Sequence, residues 1–254
     1  MSLILILLAI IIAVVSVAYI GIFIVYPELS AKISYGKVME IALGSDSKPQ
    51  VEGEGGTSIK SPVDLEALHD INSDVYAWIR IPGTAVDYPI AQSSVDDNYY
   101  LHKDIYKRYL FAGMIYTQSC NSLDFYDPVT VVYGHNMRST TMFTTLHYFE
   151  DPDFFNSHDT FYIYTRDRML TYKIISAYKY DNRHIMNSFD FSNPEVLASF
   201  QQNTLEPMST MRNIRSGIKL DADSKIVVLS TCMSNDKKSR YLVNGVLVSD
   251  VPIS

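Results

Sequence analysis

The stretch from Lys225 to Val248 reads KIVVLSTCMSNDKKSRYLVNGVLV, and it decides the fold class. Two apolar runs of strand length flank a polar stretch, which predicts a β-hairpin. The first run ends near Cys232, and Arg240 opens the second run. Antiparallel pairing brings Arg240 back towards Cys232, so the hairpin predicts a thiol beside a permanently charged guanidinium.

Short strand-like segments of the same kind recur along the rest of the chain. They cover residues 76–81, 86–90, 112–117, 129–133, 160–165 and 170–178. Turn residues such as Pro82 and Gly83 separate them. Many short strands divided by turn signals predict a mainly β fold, either a barrel or a sandwich.

Two helices are predicted at the periphery of this β fold. Residues 64–71 space Leu65, Leu68 and Ile71 on one helical face. Residues 192–195 form a capping box, Ser-Asn-Pro-Glu, followed by apolar residues at helical spacing. This second helix lies in a long insert between two strands, where it either covers the core or forms a wall of a substrate groove. The pattern favours the cover.

The N-terminal segment differs in composition from the rest of the chain, because residues 1–27 contain no charged side chain. The apolar run from Leu3 to Tyr26 would span about 36 Å as a helix, enough to cross a bilayer core of about 30 Å. A cleaved signal peptide is the alternative. Its apolar region would be shorter, about 7–15 residues, and closed by a small-residue cleavage site. We therefore predict a transmembrane signal-anchor over residues 1–27.

Three regions follow from this division. Residues 28–62 are predicted to be a stalk and flexible linker, because residues 44–62 are rich in Gly, Ser and Pro and lack aromatic residues. Residues 63–254 are predicted to be one globular domain. Charge bias favours a cytoplasmic domain only weakly, because Lys32 and Lys37 after the anchor are opposed by Glu28 and Glu40.

Composition excludes several classes of protein. Of the 254 residues, 47% are hydrophobic and 19% charged, which excludes a disordered chain. The net charge of −7 and the lack of a basic patch argue against nucleic acid as a partner. Two cysteines, Cys120 and Cys232, do not make a disulfide framework, and no Cys/His cluster predicts a metal site.

A second strand resembles the one that ends at Cys232. Residues 129–133, VTVVY, run into Gly134-His135-Asn136-Met137. Each strand thus delivers one reactive side chain from a rigid element to the surface. Cys232, His135 and Arg240 together suffice for acyl transfer through a thioester, with imidazole as proton donor and guanidinium as oxyanion donor.

Less specific readings exist for each of these residues. A cysteine after a strand is often a small buried apolar residue, and a histidine there is often a hydrogen-bonded structural residue. Cys120 lies in a polar turn with a weaker strand context. Four other histidines, at positions 102, 147, 158 and 184, show no partner pattern in the sequence, and His69 lies on the first predicted helix.

At these residues the sequence resembles the sortase family, and class B most closely. The resemblance rests on Tyr133-Gly-His-Asn-Met137, on Leu229-Ser-Thr-Cys232, and on Arg240 eight positions beyond the cysteine. Residues 72–90 and 97–101 also look like a class B domain, as does the helix in the insert. The family's usual TLSTC reads Val228-Leu-Ser-Thr-Cys232 here, a change inside the strand.

The resemblance implies a closed eight-stranded β-barrel and a membrane-anchored cysteine transpeptidase on a Gram-positive cell surface. It implies that Cys232 attacks a sorting-signal pentapeptide of a surface protein after Thr, that His135 protonates the leaving amine, and that Arg240 supports the substrate or oxyanion. An amine of peptidoglycan or of its lipid-linked precursor then takes the acyl group. Ser230, Leu101 and Asn98 are expected near the substrate. No metal or cofactor is implied, and Cys232 must stay unpaired with Cys120.

Two other functions remain open at this stage. A membrane-tethered cysteine peptidase would use water as the acceptor. A surface binding module would use the aromatic side chains, and it predicts that Cys232, His135 and Arg240 lie far apart.

Overall fold

A computed structural model of the chain describes residues 3–43, 60–236 and 238–253. Strands dominate the part after residue 63. Their bounds are β1 (Val75–Arg80), β2 (Asp87–Gln92), β3 (Ile115–Thr117), β4 (Val129–Tyr133), β5 (Thr160–Tyr164), β6 (Arg168–Asp181), β7 (Arg212–Ile214), β8 (Ile226–Cys232) and β9 (Ser239–Pro252).

Eight of these strands close into a barrel. The order is β5-β1-β2-β3-β4-β8-β9-β6, and β6 pairs back with β5. The pairs β2–β3 and β4–β8 are parallel, and the other pairs in the ring are antiparallel. The predicted eight-stranded closed barrel is confirmed, and each of the eight predicted strand segments overlaps one barrel strand. The short β7 pairs with β6 beside β5 and lies outside the closed ring.

Strand β8 shows why these apolar runs form a barrel wall. Val227 and Leu229 point into the cluster that fills the barrel, whereas Ile226 and Val228 join a second cluster on the outside. Because both faces of β8 are buried, the strand is continuously apolar and not alternating. Strand β4 lies parallel beside it and is buried in the same way from Val129 to Val132.

The helices cover the outside of the barrel. They are α3 (Leu65–Ile71), α4 (Pro152–Ser157), α5 (Ile185–Ser188) and α6 (Pro194–Leu205). The predicted helix at residues 64–71 is confirmed, and the Asp64 side chain caps it by accepting from Ala67 N at 2.9 Å. Leu197 and Phe200 of α6 pack on the outer faces of β4 and β8, as a cover does.

The capping residue of α6 differs from the prediction. Asn193 is the N-cap, and its side chain accepts from Glu195 N at 2.9 Å. The hydroxyl of Ser192 instead donates to the Asp190 carboxylate at 2.6 Å. The capping box predicted from Ser192 is therefore wrong, because the nearby Asp190 engages that hydroxyl.

One continuous helix occupies the N-terminal region. It consists of α1 (Leu3–Ile20), a π-helical turn at Gly21–Val25, and α2 (Tyr26–Leu43). By length and composition it can cross a membrane, and α1 buries none of its residues.

The second half of this helix packs on the barrel. Ala31, Tyr35, Val38 and Ala42 are buried in one stripe at helical spacing. Residues 28–43 thus lie against the domain, whereas most of the predicted linker, residues 44–59, falls outside the described residues.

Candidate active site

The parallel pairing of β4 with β8 sets two chain ends side by side. Tyr133 pairs with Ser230, and Gly134 N donates to the Ser230 carbonyl at 3.1 Å. His135 and Cys232 each follow two residues beyond this pair, so they leave the same end of the barrel in step. Gly134 directly precedes His135. A larger residue does not fit there, because a Cβ would lie 2.6 Å from the side chains of Phe143 and Ile115.

The β8–β9 hairpin brings the third residue to this point. Cys232 and Arg240 are directly paired in the antiparallel ladder. The Nη1 of Arg240 lies 2.7 Å from the Cys232 sulfur and donates a hydrogen bond to it. This confirms the hairpin geometry predicted from the sequence. Cys120 and Cys232 are both free, as expected, and Cys120 is exposed.

His135 is held by the segment that precedes β3. Its Nε2 lies 2.9 Å from the Leu101 carbonyl oxygen, so Nε2–H is the donor and Nδ1 is left for other partners. The ring stacks on His102 and Phe111, with centroid distances of 5.3 and 5.7 Å. Burial lowers the pKa of His135 below its ordinary value of 6.5; the Leu101 bond opposes this shift, and the nearby His102 and Arg240 add to it.

This lowered pKa predicts a pH dependence of stability. In the unfolded chain the imidazole regains a pKa of about 6.5, so as the pH falls the unfolded state takes up this proton first. The contribution of His135 to the free energy of unfolding is therefore fully present above about pH 6.5. It should be lost progressively as the pH falls from there to the lower pKa of the folded state.

Thermal unfolding of the wild type and of His135→Gln at a series of pH values measures this effect. The variant should lose less stability than the wild type between about pH 7.5 and pH 5. Parallel curves for the two proteins over that range would contradict the prediction.

The three predicted substrate residues have different surroundings in the structure. Ser230 is buried and lines a small cavity of about 70 Å³ together with Tyr133 and Arg240. Leu101 contributes its carbonyl oxygen to His135. Asn98 is exposed, and its Oδ1 lies 3.5 Å from the hydroxyl of Tyr116, whose ring stacks on Tyr133.

Three residues beside the cysteine were missed by the sequence analysis. Asn136 Nδ2 donates to the Cys232 carbonyl oxygen at 2.9 Å, and His147 Nε2 lies 3.1 Å from the same oxygen. The Nδ1 of His147 bonds the Glu150 carboxylate. The sequence showed no partner pattern for His147, whereas the structure pairs it with Glu150. Its spacing of three residues from Glu150 is the signal that could have indicated the pair.

Two pockets lie near this end of the barrel. The small cavity named above is also lined by Arg183, His184 and Ile185, from the insert after β6. A larger groove of about 570 Å³ runs between the end of β6 and α6, with Phe200 and Met208 in its walls. Helix α6 thus covers the barrel and also borders a groove. Among the described residues, no three His, Cys, Asp or Glu side chains cluster as a metal site would require.

Known proteins resemble this chain in sequence and in fold. The family profile described as Sortase domain matches residues 79–248. This chain belongs to the sortase family. Sortase B of Listeria monocytogenes is 29% identical over 194 residues, which cover 73% of this chain and 74% of that protein.

Solved class B sortases have the same fold. The Clostridium perfringens sortase B structure is 31% identical, with a TM-score of 0.66 over 73% of this chain and all of that one. Sortase B from B. anthracis in complex with AAEK1 is 26% identical, with a TM-score of 0.73 over 89% of this chain and all of that one. The protein is therefore a class B sortase, a cysteine transpeptidase of the kind that anchors surface proteins to the cell wall.

Proposed function

We propose that this sortase cleaves a sorting-signal pentapeptide after Thr and transfers the acyl group to an amine of peptidoglycan or its lipid-linked precursor. Cys232 is the nucleophile, His135 the proton donor, and Arg240 the oxyanion donor. The observation that carries the proposal is the 2.7 Å contact between Arg240 Nη1 and the Cys232 sulfur. The parallel register that sets His135 beside Cys232 supports it.

In the first half of the reaction, Nδ1 of His135 takes up the proton of the Cys232 thiol, and the resulting thiolate attacks the carbonyl carbon of the Thr residue. The carbonyl oxygen takes up the negative charge, and an N–H of Arg240 is near enough to the sulfur to stabilise it. The C–N bond then breaks, and the leaving amine receives a proton from His135. The products are a thioester on Cys232 and the released C-terminal part of the signal.

In the second half, a primary amine attacks the thioester carbonyl. His135, now neutral, accepts the proton that the amine loses. The C–S bond breaks, the sulfur leaves as a thiolate, and a new amide joins the surface protein to its acceptor. Because Nε2 of His135 is engaged by the Leu101 carbonyl, Nδ1 is the nitrogen that exchanges the proton in both halves.

Substrate contacts follow from the surroundings of the sulfur. Ser230 shares the wall of the small cavity with Arg240, and the buried hydroxyl of Tyr133 has no hydrogen-bond partner among the described residues. A peptide with polar groups would satisfy that hydroxyl. Asn98 and Leu101 border the same region through Tyr116 and His135, so we place them beside the bound signal.

The N-terminal helix gives the cellular setting. Its exposed apolar residues from Leu3 to Tyr26 would anchor the chain as a single membrane pass, with the catalytic domain outside the cytoplasm. A membrane-held enzyme would meet surface proteins as they emerge and wall precursors where they are displayed. No cofactor is needed for this chemistry.

Cleavage of a peptide library by the full-length protein in detergent tests the substrate proposal. Product masses should identify one family of pentapeptides, all cut after Thr. Cleavage at unrelated positions, or after residues other than Thr, would contradict the proposed specificity.

Acceptor choice separates a transpeptidase from a peptidase. Triglycine is a suitable probe, because a sortase B has been solved in complex with this tripeptide. Adding it at millimolar concentration should convert most of the acyl-enzyme into ligated peptide and reduce the hydrolysed product. If hydrolysis is unchanged and no ligated peptide forms with triglycine or with other amines, the protein acts as a peptidase.

A further inference from the structure

Helix α2 contacts the catalytic domain at three successive positions along its length. Near its start, the Glu28 carboxylate accepts a hydrogen bond from Arg138 N at 2.9 Å. About two turns further on, the Tyr35 hydroxyl donates to the Gly113 carbonyl. Near its end, the Ala42 carbonyl accepts from Asp64 N at 2.8 Å. The helix is thus fastened to the domain along most of its length.

These contacts have a fixed order relative to the apolar run. At about 1.5 Å per residue, Glu28 lies about 3 Å beyond Tyr26, the last residue of that run. Ala42 lies about 24 Å beyond it. The part of the domain that contacts Glu28 therefore lies near the point where the chain leaves the membrane. The part that contacts Ala42 lies far from that point.

The contact nearest the membrane is made by the active-site end of the barrel. Arg138 follows His135 by three residues, in the loop after β4 that also carries Asn136. The Tyr35 ring packs edge-on against Tyr88, with a centroid distance of 5.0 Å, and the Tyr88 hydroxyl accepts a hydrogen bond from Met142 N of that loop at 3.0 Å. The contacts of α2 that lie nearest the membrane therefore lead to the active-site loop.

The contact farthest from the membrane is made by the opposite end. The residue that bonds the Ala42 carbonyl, Asp64, directly precedes α3, and α3 leads into β1 at Val75. Strand β1 runs from there towards the active-site end. The turn after it reaches that end, because Ala85 N donates to the Thr145 hydroxyl at 3.1 Å, within the segment that carries His147.

We propose that α2 fixes the barrel with its active-site end turned towards the bilayer, so that Cys232 works in the layer next to the lipid headgroups. The proposal rests on the proposed membrane crossing of residues 3–26. The partner of this end of the barrel is the lipid surface itself. Substrates must then enter through the space between the barrel and the membrane. This route suits substrate chains that are still tethered to the membrane.

Two labelling positions at opposite ends of the barrel test this orientation. Thr140 is exposed in the active-site loop, and Ala222 is exposed just before β8, whose far end carries Cys232. The seven residues of β8 separate its two ends by about 20 Å. Thr140→Cys and Ala222→Cys, each in a Cys120→Ser, Cys232→Ser background, provide single sites for a fluorescent probe.

The full-length protein is reconstituted into phosphatidylcholine–phosphatidylglycerol vesicles that contain a lipid with a quencher on its headgroup. The probe at position 140 should be quenched several-fold more strongly than the probe at position 222. Equal quenching, or stronger quenching at position 222, would overturn the proposal. Quenching in detergent without the quencher lipid gives the baseline for each position.

A second variant tests whether α2 is the cause. Ala31 is fully buried between α2 and the barrel, so Ala31→Glu places a charge in that contact and should release the helix. The difference between positions 140 and 222 should then shrink. A difference that persists undiminished in a folded Ala31→Glu protein would show that α2 does not hold the barrel, and the proposal would fail.

Failure of this proposal is distinguishable from failure of the proposed function. Flotation of the wild type with vesicles reports whether the N-terminal helix inserts at all. Cleavage of sorting peptides by the wild type reports the chemistry. A protein that floats and cleaves peptides but shows equal quenching at both positions would retain its function and refute only the orientation.

Discussion

Replacing Cys232 with alanine should abolish cleavage of a sorting peptide. The substitution removes the atom that forms the thioester, and water cannot replace it at the end of β8. Loss of a covalent nucleophile in a comparable hydrolase lowers kcat by about 10⁶, so we expect a fall of at least about 10⁴ here. The measurement is peptide turnover under conditions in which the wild type is saturated.

Cys120→Ala is the matched control for this prediction. Both cysteines are free, but Cys120 is exposed in a turn after β3, and among the described residues the guanidinium contact is made to the Cys232 sulfur. The control should cleave peptide at the wild-type rate, and unfolding temperatures should show that both variants are folded. Hydroxylamine should release an acyl hydroxamate from the wild type and from Cys120→Ala, but not from Cys232→Ala. Normal turnover by a folded Cys232→Ala protein would refute the proposed nucleophile.

The fold was predictable where local pattern and burial agree. The eight barrel strands are apolar because each contributes side chains to the filled barrel, and some, such as β8, are also covered from outside. Such runs are visible in the sequence without knowing what covers them. Strand β7 is only three residues long, and none of them is buried, so no pattern marks it.

The site was predictable to the extent that strand ends define it. His135, Cys232 and Arg240 follow or open apolar strands, and the hairpin alone places two of them together. His147 was missed because it reaches the Cys232 carbonyl across 85 residues of chain. Only the closed barrel brings its short 3₁₀ segment to the cysteine, and the sequence contains no signal for that distance.

The packing of α2 was hidden for a related reason. Its buried stripe of Ala31, Tyr35, Val38 and Ala42 follows directly on an apolar run that masks the helical periodicity. The structure shows that Tyr35 bonds Gly113, whose backbone lies so close to the Leu101 carbonyl that a Cβ on Gly113 would collide with that oxygen. Since the same oxygen accepts from His135, the helix supports the segment that orients the imidazole.

Replacing Arg240 should produce the second large loss. Removing one donor to a developing oxyanion typically costs about 10²- to 10³-fold in kcat, and we expect a loss of that size for Arg240→Ala. Arg240→Lys should recover little of it, because a lysine carries a single ammonium in place of the planar fork of N–H donors. The measurement is kcat and KM for one sorting peptide, determined separately for each variant.

Lys238→Ala is the matched control, because it removes one positive charge from the same turn at an exposed position. It should keep kcat within about threefold of the wild type, since a surface charge contributes little beyond screened attraction. The role of Arg240 is decided by whether its replacement changes kcat or KM. A fall in kcat with KM unchanged identifies an interaction made in the transition state, whereas a rise in KM alone identifies uniform substrate binding. An Arg240→Ala protein that matches the Lys238→Ala control in both constants would refute either role, and the contact with the Cys232 sulfur would then be structural.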